Sequence, residues 1–151
     1  MNPTRRTVLK TTSALGLLVA AGLVTTRQAL AAGGREAFEA KTMAETLAAL
    51  GGQPADSKDI VITSPDIAEN GAVVPVAATS NIPGTTEIAF LVEKNPNPLA
   101  ALFKVGPDTV PSVQTRLKMG QSTNVIVVVK AGGKLYSATK ETKVTLGGCG
   151  G

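Results

Sequence analysis

Asn124-Val-Ile-Val-Val-Val-Lys130, followed by the glycine pair of Ala131-Gly132-Gly133 and a long stretch from Lys134 to Leu146, decides the fold class. The first stretch is apolar at every inner position rather than at alternate ones, as a strand buried on both faces requires. The glycine pair supplies a tight reversal into a second strand. That second strand alternates: Tyr136, Ala138, Val144 and Leu146 fall on even numbers, and Ser137, Thr139, Glu141 and Lys143 on odd ones. One face is therefore apolar and the other polar. Lys140 and Thr142 interrupt the even series, which predicts a bulge or an edge there.

Working outward, short runs rich in Val, Ile and Thr recur from Gln53 onward, separated by Pro, Gly and Asn, the signature of antiparallel β structure. Strands are expected near Ile60 to Thr63, Val73 to Ala78, Thr86 to Glu93, Leu99 to Val105 and Val113 to Lys118, with the hairpin pair making seven. Upstream, Phe38, Met43, Leu47 and Leu50 recur at helical spacing, with Glu36, Glu39, Lys41 and Glu45 largely opposite, and Gly51-Gly52 follows as a stop. The expectation is a mainly β protein, an immunoglobulin-like antiparallel sandwich preceded by one amphipathic helix over Arg35 to Leu50, without the paired cysteines or Trp of antibody domains. Asn95-Pro-Asn-Pro98 reads as a rigid loop. The 151 residues suffice for one such domain plus tails.

The N-terminus reads as a leader. Thr4-Arg-Arg-Thr-Val-Leu-Lys10 precedes an apolar stretch from Ala14 to Val24, and Ala29-Leu30-Ala31 offers the small residues a signal peptidase needs. This is the pattern of a twin-arginine export signal over 1–31, too short in its apolar part to span a bilayer. It implies export to a bacterial periplasm, with no stable membrane insertion of the mature chain. Four of the fifteen Lys and Arg residues lie in that leader, which has no Asp or Glu, so eleven basic face eleven acidic residues in the rest. The net charge of +4 thus belongs to the leader, and no basic stripe remains for nucleic acid.

Chemistry is bounded by absence. The chain contains no His, which removes the usual general base and every standard triad, and its one Cys cannot form an internal disulfide or an ordinary zinc site. No metal and no cofactor are expected. Asp56, Asp59, Asp66, Glu69, Glu87, Glu93 and Asp108 form no motif and read as solvated. Gly147-Gly-Cys-Gly-Gly151 lacks the Lys-Ser/Thr ending of a phosphate loop. What remains is Cys149, third from the end, with Gly147 and Gly148 before it and Gly150 and Gly151 after. Glycine leaves the backbone free and slender, so 147–151 is expected to be a flexible arm on a domain spanning 32–146. From Leu146 the thiol can reach about 10 Å. A free thiol has a pKa of about 8.5, and only Lys143 offers a nearby cation, so activation is expected inside partner proteins rather than on the arm.

Lys143-Val-Thr-Leu-Gly-Gly-Cys-Gly-Gly151 resembles the C-terminal signature of the SoxY family of bacterial sulfur-oxidation proteins. The twin-arginine leader, Asn95-Pro-Asn-Pro-Leu99 and Met119-Gly-Gln-Ser-Thr123 before the apolar strand are similar as well. The resemblance implies a sandwich subunit that pairs with a SoxZ-like chain and carries a covalent sulfur adduct on Cys149. Thiosulfate would be joined to that thiol by a heme-containing SoxAX-like enzyme and sulfate released by a SoxB-like hydrolase. In some organisms a SoxCD-like dehydrogenase would oxidise the remaining sulfur. Two other readings stay open from the residues alone. One is a structural sandwich whose tail cysteine makes an intermolecular disulfide; the other, a self-contained thiol oxidoreductase, is disfavoured by the missing His and second Cys.

Overall fold

A computed structural model describes residues 35–145. The leader (1–31), the boundary residues up to 34, Leu146 and the whole of Gly147, Gly148, Cys149, Gly150 and Gly151 lie outside the described residues. Within them, a helical turn α1 (35–39) and a helix α2 (Met43–Leu50) precede nine strands: β1 (Ala55–Asp56), β2 (Ile60–Thr63), β3 (Ile67–Ala68), β4 (Val74–Ser80), β5 (Thr85–Val92), β6 (Leu99–Lys104), β7 (Ser112–Leu117), β8 (Thr123–Ala131) and β9 (Lys134–Val144).

The seven long strands stand where the sequence predicts them, within one or two residues. They form two sheets, one in the order β1-β9-β8-β5-β6 with β3 also on β9, the other β2-β4-β7. The continuous apolar run is buried on both faces, and the reason is a third layer. Val125, Val127 and Val129 of β8 join Ile88, Phe90 and Val92 of β5 in the core between the sheets, facing Ile60, Val74, Val76 and Leu117 of the smaller sheet. Val128 of β8 and Ala89 and Leu91 of β5 point the other way and pack with Leu99, Ala37 and Leu50 under the helices. Phe90 is fully buried and meets Phe103 edge to face, with ring centroids 6.0 Å apart. Such a pair adds about 1 kcal/mol beyond the area it buries.

The single predicted helix is instead two pieces. Thr42 adopts an extended conformation and caps α2: its hydroxyl accepts from the Glu45 amide at 3.2 Å, and the Glu45 carboxylate accepts in return from the Thr42 amide at 3.2 Å and the Lys41 amide at 3.1 Å. This reciprocal box satisfies amide donors that a new helix start would leave orphaned, and it ends the continuity with α1. Those bonds, the Lys41 amide first, hold the Glu45 carboxyl below its ordinary value. Phe38, placed by periodicity on the buried face, is 39% exposed, while Ala37 is buried. Gly51, at φ 125°, stops α2 as expected, its amide donating to Leu47 O and Ala48 O.

Two features depart from an antiparallel sandwich with a bulged last strand. β8 and β9 pair without interruption from Ala131↔Lys134 to Thr123↔Thr142, so there is no bulge at Lys140 or Thr142. Thr142 is completely buried, its hydroxyl 3.1 Å from that of Ser64, and Lys140 donates to Ser64 O at 2.6 Å and pairs with Asp66 at 3.2 Å. The polar side chains fit the apolar series because the 64–66 segment supplies their partners. That segment leads into β3, which, like β1, pairs with β9 in parallel.

Candidate functional site: the anchored end of β9

None of the five predicted site residues, Gly147, Gly148, Cys149, Gly150 and Gly151, is among those described; the structure describes what they grow from. β9 begins at the Gly132-Gly133 turn, whose φ values of 56° and 76° make it the primed reversal that glycine alone adopts without strain. It ends at Val144, at the opposite end of the sandwich. Several loops meet there. The β5–β6 loop returns on itself through Val92 N to Pro98 O at 2.8 Å, Lys94 N donates to the Thr123 hydroxyl at 3.1 Å, and the Asn95 amide donates to Lys118 O at 2.8 Å. Asn97 donates to Phe38 O at 3.0 Å and Ala40 O at 3.2 Å, which docks α1 to the same end. Asn95-Pro-Asn-Pro98 and Met119-Gly-Gln-Ser-Thr123, singled out separately in the sequence, are thus neighbours through Asn95 and Lys94.

The last residues of β9 are held on both edges. β8 stops pairing at Thr142, and beyond it the Ser122 hydroxyl takes the place of a strand, accepting from Val144 N at 2.9 Å and lying 3.4 Å from Val144 O as donor. On the other edge Lys143 N donates to Asp66 O at 2.9 Å and Thr145 N to Ala68 O at 3.1 Å, with the Thr145 hydroxyl 3.4 Å from the same carbonyl. Gly71 closes the underside. Its carbonyl accepts from Met119 N at 2.7 Å, and a Cβ on it would fall 2.3 Å from Met119 O and 2.8 Å from a Val144 methyl. Sequence reasoning missed Ser122, Gly71, Asp66 and Ala68. They contact β9 from 22 to 77 residues away in sequence, and no local signal marks them.

Lys143, the nearest cation in sequence, is exposed. Among the described residues no group of three or more His, Cys, Asp or Glu is placed to hold a metal ion. A cavity of about 510 Å³ lies between the β4–β5 turn and the β6–β7 loop, lined by Ile82, Pro83, Val105, Pro107, Thr109 and Pro111 among others, with no charged side chain. It belongs to the hairpin end: a strand rising 3.2–3.4 Å per residue carries Thr145 about 35 Å away from Lys134.

The fold and this end of it define a helix-backed β-sandwich whose final strand, fastened on both edges, leads into the cysteine-bearing terminus. The sequence model of the family described as sulfur oxidation protein SoxY matches residues 46–149, a span that runs to Cys149, and the chain belongs to that family. Its role accordingly lies in sulfur oxidation. A solved structure of the sulfur carrier protein SoxY from Chlorobium limicola f thiosulfatophilum is 42% identical, covers 74% of this chain and 98% of that one, and superposes with a TM-score of 0.64. A superoxide reductase (neelaredoxin) from Ignicoccus hospitalis, 17% identical over 57% of this chain and 80% of that one with a TM-score of 0.52, shares the fold alone. No curated protein matches the chain.

Proposed function

We propose that this chain is an exported carrier that holds the sulfur intermediates of thiosulfate oxidation covalently on Cys149 and presents them to partner enzymes. The observation that carries the reading is the family match extending through the lone cysteine. The likeness to a protein described as a sulfur carrier supports it. The leader over 1–31 directs the protein by the twin-arginine route to the periplasm, where it pairs with a SoxZ-like subunit.

Loading forms one S–S bond. The Cys149 thiolate and thiosulfate combine to a cysteine S-thiosulfonate, and two electrons pass to a SoxAX-like heme enzyme. Hydrolysis by a SoxB-like enzyme then adds water across the terminal S–S bond, releasing sulfate and two protons and leaving a persulfide anion on Cys149. A SoxCD-like dehydrogenase, where present, takes the remaining sulfur further. Cys149 is the covalent attachment point; Gly147, Gly148, Gly150 and Gly151 form a slender arm that enters a cleft. The chain itself is acted on and supplies no general acid or base, which fits a sequence without His.

The test is intact mass of protein from cells growing on thiosulfate, before and after reduction, with fragmentation to locate any adduct. Reducible sulfur additions at Cys149, absent from a Cys149→Ser variant that still folds and binds its partner subunit, are expected. A bare thiol, or only protein–protein disulfides, in cells actively oxidising thiosulfate would overturn the carrier reading in favour of a structural tail cysteine.

A further inference from the structure

We propose that Asn70 is a site of spontaneous backbone modification: the Gly71 amide nitrogen attacks the Asn70 side chain, ammonia leaves, and isoaspartate takes the place of asparagine. Asparagine is thermolabile, and the residue that follows decides how labile, because its amide is the nucleophile. The chain holds six asparagines, Asn2, Asn70, Asn81, Asn95, Asn97 and Asn124. Asn2, Asn95 and Asn97 precede proline, which has no N–H to give up. Asn81 and Asn124 precede Ile82 and Val125, whose branched Cβ crowds the attacking nitrogen. The Ile82 amide is also bound to the Ser80 hydroxyl at 3.2 Å, and Val125 lies in the paired run of β8. Asn70 alone precedes a glycine, with no side chain in the way.

The structure leaves this pair open to reaction. Asn70 is exposed, so water reaches it, and among the described residues no carbonyl accepts from the Gly71 amide. The Ala72 amide donates to the Asn70 side-chain oxygen at 2.9 Å, which polarises the carbon under attack and favours the negative charge that forms on that oxygen. The bond closing the turn, Val73 N to Asn70 O, is long at 3.4 Å, so the 70–71 peptide can turn toward the side chain at the loss of one weak contact. The Gly71 N–Cγ bond forms as the bond from Cγ to the amide nitrogen breaks, and the Gly71 amide proton leaves with the ammonia. Water then opens the cyclic imide, predominantly at the former main-chain carbonyl. In sum, asparagine and water become isoaspartate and ammonia, with nothing oxidised or reduced.

The product's main chain runs through the old side chain and is longer by a methylene, immediately before a residue that has no room. The Gly71 carbonyl accepts from Met119 N at 2.7 Å, and its backbone lies so close to Met119 O and Val144 that a Cβ would clash with both. An added backbone atom displaces Gly71 from that fit and takes the acceptor away from Met119. Ala68, just upstream, pairs with Val144, so the damage falls beneath the last strand.

The experiment ages the full chain at growth temperature and mildly alkaline pH, as wild type and as Asn70→Ser, whose hydroxyl still accepts from Ala72 but cannot form an imide. The more acidic fraction is separated by ion exchange and mapped by fragmentation that distinguishes isoaspartate from aspartate. Hydrogen exchange at the Met119 amide is then compared among fresh wild type, the aged acidic fraction and freshly prepared Asn70→Asp. Acid should accumulate at Asn70, mostly as isoaspartate, with Asn81 and Asn124 intact and no such fraction from Asn70→Ser. Exchange at Met119 should rise roughly five-fold in the aged fraction, as loss of one hydrogen bond allows, and stay at the wild-type rate in Asn70→Asp, which gains the charge without the added methylene. An Asn70 that survives ageing, or acid appearing first at Asn81 or Asn124, overturns the site. Unchanged exchange at Met119 in the isoaspartate fraction, or an equal rise in fresh Asn70→Asp, overturns the displacement of Gly71. The wild-type map decides the site even if a variant fails to fold.

Discussion

A methyl group at position 71 would stand 2.3 Å from the Met119 carbonyl oxygen and 2.8 Å from Val144, both inside contact distance. Neither neighbour is the free end of a long side chain: one is backbone and the other is a short branched residue on the last strand. Gly71→Ala must therefore displace the 119–122 turn or Val144. It should destabilise the domain by about 1–3 kcal/mol, the usual cost of overpacking. Urea unfolding should show a lower midpoint at unchanged slope. A variant as stable as the parent would mean the two loops yield freely. Nothing in the local sequence Glu69-Asn-Gly-Ala72 distinguishes this glycine from an ordinary turn residue. Its requirement is set by the carbonyl of Met119, far along the chain.

Among the elements, α2 shows most directly how a local signal overrides periodicity. Thr42 and Glu45 stand in the Thr-x-x-Glu spacing of a capping box, and that spacing, rather than the apolar stripe from Phe38 to Leu50, decides where the helix begins. Because the folded chain holds the Glu45 carboxyl below its ordinary value, the box stabilises α2 fully above the ordinary glutamate range. That contribution is lost as pH falls through the lowered value. Thermal unfolding of wild type and Glu45→Gln should differ at neutral pH and converge as the pH falls below the lowered carboxyl value; a gap that persists in strong acid would show that charge is not what matters there. The long strands were legible because their residues carry a period and their boundaries carry Pro, Gly and Asn. β1 and β3 were not, since two residues have no period and parallel pairing to a distant strand leaves no local trace. Lys140 and Thr142 misled for a related reason: their partners, Ser64 and Asp66, are supplied from far away in the sequence.

At the scale of the molecule, chemistry and scaffold were legible to different degrees. The lone Cys149 with no His anywhere narrowed the chemistry before any fold was known, whereas the contacts around Val144 exist only once four separate segments have come together. Those segments give the sandwich two unlike ends. Thr145, α1 and the two motif loops share one end, and the uncharged cavity with exposed Val110 lies at the other. One alanine inserted after Ser137 must break the continuous pairing with β8 or turn alternate side chains to the wrong face. It should lower thermal stability sharply, while the same insertion between Gly106 and Val110, an exposed loop, should leave stability and loading of Cys149 close to wild type; equal effects at the two sites would contradict the assigned register. The uninterrupted β8–β9 ladder thus divides the chain into segments with different freedom to drift. Over evolutionary time, gains and losses of residues should accumulate in the 106–110 loop, whereas the distance from the Gly132-Gly133 turn to the terminal cysteine should be inherited almost unchanged, like the length of a key.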